Sequence, residues 1–105
     1  MKQPTAAQKR WREAVRSLGS VISGGPAVIH HPVGRTGRHN KQDIGNWWVV
    51  PLTDEEHKAL HNGETFGFIS RKDLEKRAVI WIRGRLVGKD FMPPEIFEAI
   101  MDYHR

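Results

Sequence analysis

The sequence predicts a single α+β domain in which two short strands and four helices share one modest core. A chain of 105 residues supports one such core, and we treat residues 1–105 as one domain. Two segments begin with the Thr-x-x-Gln/Glu pattern of a helix capping box, at Thr5 and Thr53. Two short runs rich in β-branched or aromatic side chains, 27–31 and 46–51, predict strands.

The first helix is predicted over residues 5–18. Thr5 is the N-cap, and the side chain of Gln8 reaches back to it. An apolar stripe follows at helical spacing, and Gly19 is a natural residue for the position just beyond the helix. The opposite face is basic. We expect this face to be solvated, and contact with a phosphate backbone is the alternative.

A strand, a loop and a second strand are predicted next. Residues 27–31 form a β-prone run that Pro32 terminates, so the two histidines of this run stand at the end of a strand. Residues 34–41 contain two glycines and no apolar side chain, which predicts a loop. Residues 46–51 are aromatic and β-branched, and we expect them to form the second strand.

A short helix is predicted to begin after Thr53, where a second capping box places acidic residues in the first turn and the helix dipole favours them. Gly63 ends this helix. Leu60 points to the core, whereas His57 and His61 lie four residues apart and share a different face. The strands and this helix therefore make a unit with a histidine group at each end.

Two further helices are predicted, over about 71–87 and 94–104. Ser70 is a candidate N-cap for the first of them, and an apolar stripe follows at helical spacing. Residues 79–82 are also β-prone, so a strand is the alternative there. A Pro-Pro pair ending at Pro94 begins the last helix, which carries apolar side chains on one face.

Composition limits the classes of partner and of site. The net charge of +5 and the isoelectric point of 10.0 favour a polyanionic partner, although many small proteins are basic for no specific reason. The chain has no cysteine, which excludes disulfides and thiolate zinc sites, so any metal must be held by nitrogen and oxygen ligands. No apolar run is long enough to span a bilayer, and no signal-like segment follows the N-terminus. We expect a cytoplasmic protein with no membrane partner.

The two histidine groups are the most informative feature of the chain. An i, i+4 pair on one helix face is a common way to hold a transition metal, although such a pair also arises by chance. Adjacent side chains of a strand point to opposite sides, so one of His30 and His31 can bind metal while the other faces a substrate. A neutral imidazole is a suitable general base near neutral pH. A metal, a spare histidine and a basic loop together suggest phosphodiester chemistry.

The stretch from about Ile29 to Asn62 resembles the HNH motif of the ββα-metal nuclease superfamily. It looks most similar to cysteine-free versions, such as the nuclease domains of bacterial colicins, and to small phage-encoded HNH proteins associated with recombination. The flanking helices are not matched, so the motif core is 27–63. The residues that carry the resemblance are His30 and His31, Asn46, Val50-Pro51-Leu52, and His57-x-x-x-His61.

The resemblance implies a ββα-metal core with a short two-stranded antiparallel sheet, and a metal-dependent endonuclease that hydrolyses DNA phosphodiester bonds. His31 would be the general base that activates water. One divalent metal ion would be held by His30, His57 and His61. Asn46 would orient the catalytic histidine or brace the loop, and a plain turn residue is the alternative for it.

Charge and loop position add candidate contacts to the nucleic-acid backbone between the two histidine groups. These are Arg35, Arg38, His39 and Lys41. For His39, a spare metal ligand or no role at all are the alternatives.

The resemblance also implies the cofactor and the partners. Magnesium or manganese is expected in activity, and zinc or nickel in the purified protein. The expected substrate is DNA, in phage or prophage DNA processing or recombination inside a bacterial host cell, with a recombinase filament or another phage protein as a candidate partner. A chain this small is also a candidate for a homodimer. Two alternatives remain: a non-catalytic nucleic-acid-binding module that uses the metal as a staple, and a recombination accessory protein whose site has lost its metal.

Overall fold

A computed structural model of the chain describes residues 3–33, 37–64, 70–86 and 92–103, and it has the α+β architecture that the sequence predicts. The elements follow one another as helix α1 (Ala6–Ser17), strands β1 (Val28–His30), β2 (Arg38–His39), β3 (Gln42–Asp43) and β4 (Val50–Leu52), and helices α2 (Asp54–His61), α3 (Arg71–Arg85) and α4 (Pro94–Tyr103).

The starts of the first three helices are confirmed in atomic detail. The Thr5 hydroxyl accepts from the backbone N–H of Gln8 at 3.1 Å, and the Gln8 side chain accepts from the backbone N–H of Thr5 at 2.8 Å. Thr53 and Glu56 repeat this exchange at the start of α2, at 3.1 and 2.8 Å. Ser70 caps α3 through its side chain. Each cap satisfies backbone donors that the helix leaves open, which stabilises a helix by about 1 kcal/mol.

Strand β1 pairs with β4 in an antiparallel two-stranded sheet, so that His30 lies opposite Val50. The predicted second strand, residues 46–51, is wrong over its first four residues. The backbone turns there, because the amides of Trp47 and Trp48 both donate to the carbonyl of Ile44, at 3.1 and 2.8 Å. The aromatic content of this run reflects burial of its side chains in the core, and strand pairing begins only at Val50.

The loop predicted over residues 34–41 is also wrong in part. Its last residues form a second antiparallel pair, in which β2 faces β3. The two connecting residues, Asn40 and Lys41, have φ values of 50° and 64°, a left-handed pair that suits the twist of a tight hairpin. Because both strands are short and polar, no apolar alternation in the sequence marks them. Residues 34–36 lie outside the described part of the chain.

Two tryptophans join the helices to the sheet. Trp11 on α1 is buried, and its indole N–H donates to the carbonyl of Trp47 at 2.9 Å. Trp48 is fully buried, and its indole N–H donates to the backbone carbonyl of Glu75 on α3 at 3.2 Å. Of the adjacent Trp pair, Trp48 thus lies in the core. These bonds fix α1 and α3 on either side of the turn that leads into β4.

The helices are short. The longest one described has 15 residues, and within the described ranges no helix combines the length and apolar character needed to cross a membrane.

Candidate metal centre

Three histidines converge where the end of β1 meets α2. His30 is the last residue of β1, and His57 and His61 lie one turn apart on α2. Leu60 is buried in the core, as the sequence predicts, and the histidine face of α2 lies near the end of β1. The ring centroid of His30 lies 5.1 Å from that of His57 and 5.6 Å from that of His61.

The ring nitrogens of this cluster have the spacing of a metal site. One nitrogen from each ring lies within 4.8 Å of the others, and the Nε2 atoms of His57 and His61 are 3.0 Å apart. In the part of the chain that the structure describes, no other group of three metal-ligating side chains is this close. Imidazole nitrogens bind zinc at about 2.0–2.1 Å, so one ion can reach all three rings after small side-chain shifts. The three histidines could therefore hold a metal ion.

His30 is enclosed, and its two ring nitrogens have different surroundings. Nε2 lies 2.6 Å from Oε2 of Glu75, a buried carboxylate on α3. Nδ1 is also buried, and it has no hydrogen-bond partner among the described residues. An unpaired buried acceptor costs about 1–3 kcal/mol. A metal ion at the three-histidine cluster would give Nδ1 a partner, so the residues fit the ion that the sequence predicts.

Partial burial lowers the pKa of His57, and the nearby imidazoles of His30 and His61 lower it further. A lowered pKa keeps the ring neutral near pH 7, which is the form that binds a metal. This property favours ion binding on α2.

His31 follows the strand directly, beside the cluster. Burial lowers its pKa, and the positive charge of Arg12 and then the neighbouring His30 act in the same direction. The ring is therefore neutral near pH 7 and can accept a proton. Its Nε2 atom is buried without a hydrogen-bond partner in the described ranges, and so is Nε of Arg12. Two buried polar atoms without a hydrogen-bond partner among the described residues thus belong to His31 and to the arginine whose charge acts on it.

Asn46, the other predicted catalytic residue, is buried in the turn before β4. Its role in orienting a histidine stays a prediction.

The predicted nucleic-acid contacts lie partly on the β2–β3 hairpin. Arg38 and Lys41 are exposed, and the Arg38 guanidinium donates to the carbonyl of Lys41 at 2.9 Å. His39 is half-buried, with Nε2 3.0 Å from a carboxylate oxygen of Asp102 on α4. Arg35 lies outside the described residues. Phosphate binding by these side chains stays a prediction.

Three residues near the cluster were not among the predicted site residues: Glu75, Arg71 and Arg12. Glu75 lies next to Leu74 on the buried side of α3, where an acidic residue is rare unless it has a partner. That position was a signal in the sequence. Arg12 carries no comparable signal, since it belongs to a basic helix face and only the packing of α1 brings it near His31.

Comparisons of the chain with protein families, with characterised proteins and with solved structures find no match. The HNH likeness therefore rests on the motif residues alone, and the functional proposal rests on the geometry of the three-histidine cluster.

Proposed function

We propose that the protein is a divalent-metal-dependent endonuclease of the HNH type that hydrolyses DNA phosphodiester bonds. His30, His57 and His61 hold one metal ion, and His31 is the general base. One observation carries the proposal: three ring nitrogens converge within 4.8 Å of one another, beside a fourth histidine whose lowered pKa keeps it neutral. Metal ligands and a separate base are the two parts that phosphodiester hydrolysis needs.

The metal ion, His31 and Arg12 have separate roles in the proposed reaction. When bound, a divalent ion stabilises the negative charge on the phosphate and on the leaving oxygen. His31 accepts the proton of the attacking water, since burial and the charge of Arg12 lower its pKa and keep the ring neutral. The guanidinium of Arg12, whose charge acts on His31, donates to a phosphate oxygen. Arg12 thus binds the phosphate on the side of the base.

The remaining parts of the proposal rest on charge and on the resemblance. A net charge of +5 favours DNA as the polyanionic substrate. Magnesium or manganese supports activity, zinc or nickel occupies the site after purification, and the protein works in phage or prophage DNA processing in the bacterial cytoplasm. A recombinase filament, another phage protein or a second copy of the chain is the proposed partner.

Cleavage of supercoiled and single-stranded DNA tests the proposal, with magnesium, manganese, nickel, zinc and EDTA in parallel. Wild type is expected to nick DNA in a metal-dependent way, and His31→Ala to lose nicking while it still binds metal. Glu55→Gln is the matched control, because Glu55 is exposed on α2 and should leave cleavage unchanged. Normal cutting by His31→Ala would show that another group is the base.

A second candidate function is a non-catalytic nucleic-acid-binding module in which the metal ion only stabilises the fold. The observation that favours it is the position of the three histidines, which would let one ion tie β1 to α2 in a small domain without disulfides. Metal retained by wild type with no cleavage under any of the ions would select this function. If His57→Ala changed neither stability nor activity, the site would belong to an accessory protein without a metal.

A further inference from the structure

We propose that Glu75 is a positioning residue of the metal centre, which determines the nitrogen of His30 that is free to bind the ion. The inference rests on the proposed metal centre and extends it to α3, outside the residues that carry the HNH resemblance. Glu75 touches neither the ion nor the substrate. It acts through His30, whose Nε2 it contacts.

The contact between the two side chains sets the tautomer of the ring. His30 and Glu75 have exposed fractions of only 1% and 3%, and Nε2 lies 2.6 Å from Oε2. A carboxylate only accepts hydrogen bonds, so Nε2 must carry the hydrogen. In the neutral ring the lone pair then lies on Nδ1. Nδ1 is the atom that is buried without a hydrogen-bond partner among the described residues.

The carboxylate is itself held in place by two further bonds. Arg71, one turn earlier on α3, donates from Nε to the same oxygen of Glu75 at 3.3 Å. The indole N–H of the fully buried Trp48 donates to the backbone carbonyl of Glu75 at 3.2 Å. Side chain and backbone of Glu75 are therefore both fixed. A ligand held by such outer contacts keeps its orientation when the ion leaves.

A purely structural role for the pair would explain less. A buried histidine–carboxylate contact could simply attach β1 to α3, but Nδ1 would then remain buried with its lone pair unsatisfied. The positioning role accounts for both nitrogens, since one donates to Glu75 and the other faces the ion. Carboxylate–histidine–metal chains of this kind raise the basicity of the ligand and fix its orientation.

Zinc titration of EDTA-treated protein, with a chelator as competitor, tests the role of Glu75. Glu75→Gln keeps the side-chain shape, but a glutamine amide can either donate to Nε2 or accept from it, so it no longer selects one tautomer. We expect Zn²⁺ affinity to fall about 10- to 100-fold in Glu75→Gln. Asp102→Asn is the matched control. It alters the other carboxylate–histidine contact in the described part of the chain, 3.0 Å from His39, and should leave Zn²⁺ affinity unchanged.

The outcomes separate this inference from the proposed function. Wild type that binds Zn²⁺, together with a Glu75→Gln variant of equal affinity, would overturn the role of Glu75 and leave the metal centre intact. Wild type that binds no Zn²⁺ would overturn both.

Nitrogen NMR of the imidazole of His30 in the metal-free wild type gives a readout that does not depend on a folded variant. The proposal requires hydrogen on Nε2 and a lone pair on Nδ1 when the ring is neutral. A ring with its hydrogen on Nδ1 would contradict it. In Glu75→Gln the same spectrum should show a mixture of tautomers.

Discussion

Two histidine–carboxylate pairs occur in the described parts of the molecule, and they differ in almost everything except their chemistry. His30 and Glu75 are 2.6 Å apart, with side chains 1% and 3% exposed, whereas His39 and Asp102 are 3.0 Å apart and 27% and 40% exposed. Each pair joins a strand to a helix, β1 to α3 and β2 to α4.

The surroundings of each pair determine what it can do. The ring of His39 lies edge-on to Tyr103, with centroids 5.3 Å apart, and Asp102 also accepts from the side-chain amide of Asn40 at 3.0 Å. These contacts attach the β2–β3 hairpin to α4. The ring of His30 instead faces two more histidines and has a second nitrogen without a hydrogen-bond partner among the described residues. Convergence of three imidazoles, rather than the histidine–carboxylate contact itself, therefore indicates a site.

The largest expected difference between the two pairs is the loss of folding stability when the carboxylate is removed. Glu75→Ala leaves the buried Nε2–H of His30 without its partner, so the free energy of unfolding should fall by about 1–3 kcal/mol. Asp102→Ala removes an exposed contact and should cost about 0–1 kcal/mol. Urea unfolding in EDTA, followed by circular dichroism, measures both. Equal losses in the two variants would mean that burial does not distinguish the pairs.

Metal affinity gives the next largest contrast. His57→Ala removes a direct ligand, so Zn²⁺ affinity should fall more than the roughly 100-fold upper range for an outer-contact residue. His39→Ala removes a histidine outside the cluster and should leave Zn²⁺ affinity as in wild type. Chelator competition measures both constants. A loss of Zn²⁺ affinity in His39→Ala would show that a metal ligand lies on the β2–β3 hairpin. The metal site would then not be confined to the cluster of His30, His57 and His61.

The pH dependence of cleavage tests the region around the buried His30–Glu75 pair. Because burial and then Arg12 lower the pKa of His31, the base becomes protonated at a lower pH than an ordinary histidine. The cleavage rate should therefore fall only at that lower pH. Arg12→Ala removes a positive charge, so the pKa of His31 should rise and the acidic limb should move to higher pH.

Arg12→Lys is the control for that measurement, since it keeps the charge and should keep the acidic limb near its wild-type position. Profiles of kcat/KM against pH, with one metal ion at a fixed concentration, give the acidic limb for wild type, Arg12→Ala and Arg12→Lys. An acidic limb that does not move in Arg12→Ala would exclude His31 as the base or Arg12 as its neighbour.

The smallest expected effect concerns a carboxylate with no histidine partner. Partial burial acts to raise the pKa of Glu56, but hydrogen bonds, first from the Ser20 hydroxyl and then from the Thr53 backbone, lower it on balance. A lowered carboxyl pKa gives stability above the unfolded pKa that is lost as pH falls through the folded value. Ser20→Ala should therefore reduce stability at neutral pH by about 1 kcal/mol.

The same variant should start to lose stability at a higher pH during acid unfolding, because the pKa of Glu56 rises toward its ordinary value. Acid titrations followed by circular dichroism compare the two proteins. Ser17→Ala, on the exposed surface of α1, is the control. Identical acid midpoints for wild type and Ser20→Ala would show that the serine does not hold the carboxylate.

What could be predicted from the sequence was the part encoded by neighbouring residues. The caps at Thr5, Thr53 and Ser70 each depend on groups only three residues apart, and all three are present. The spacing of His57 and His61 on one helix face is equally local, and their convergence with the strand-end histidine follows the predicted order of elements.

What could not be predicted depends on contacts between distant parts of the chain. The strand expected from Asn46 begins only at Val50, because the preceding turn carries Trp47, whose carbonyl accepts from the indole of Trp11. Glu75 lies 45 residues from His30, and no spacing rule relates positions so far apart. The short hairpin at β2–β3 has no apolar alternation to reveal it.

The connection between β4 and α2 has a consequence for any attempt to move this site into another protein. The strand ends at Leu52, Thr53 is the N-cap, and the helix begins at Asp54, so no residue is spare between the two elements. An α-helix advances by about 100° per residue. A one-residue insertion at this junction would swing both imidazoles of α2 by about a quarter of a circle, away from β1. The strand therefore fixes the direction in which the two histidines of α2 point. A protein engineered to contain this site needs β4, Thr53 and α2 as one continuous segment.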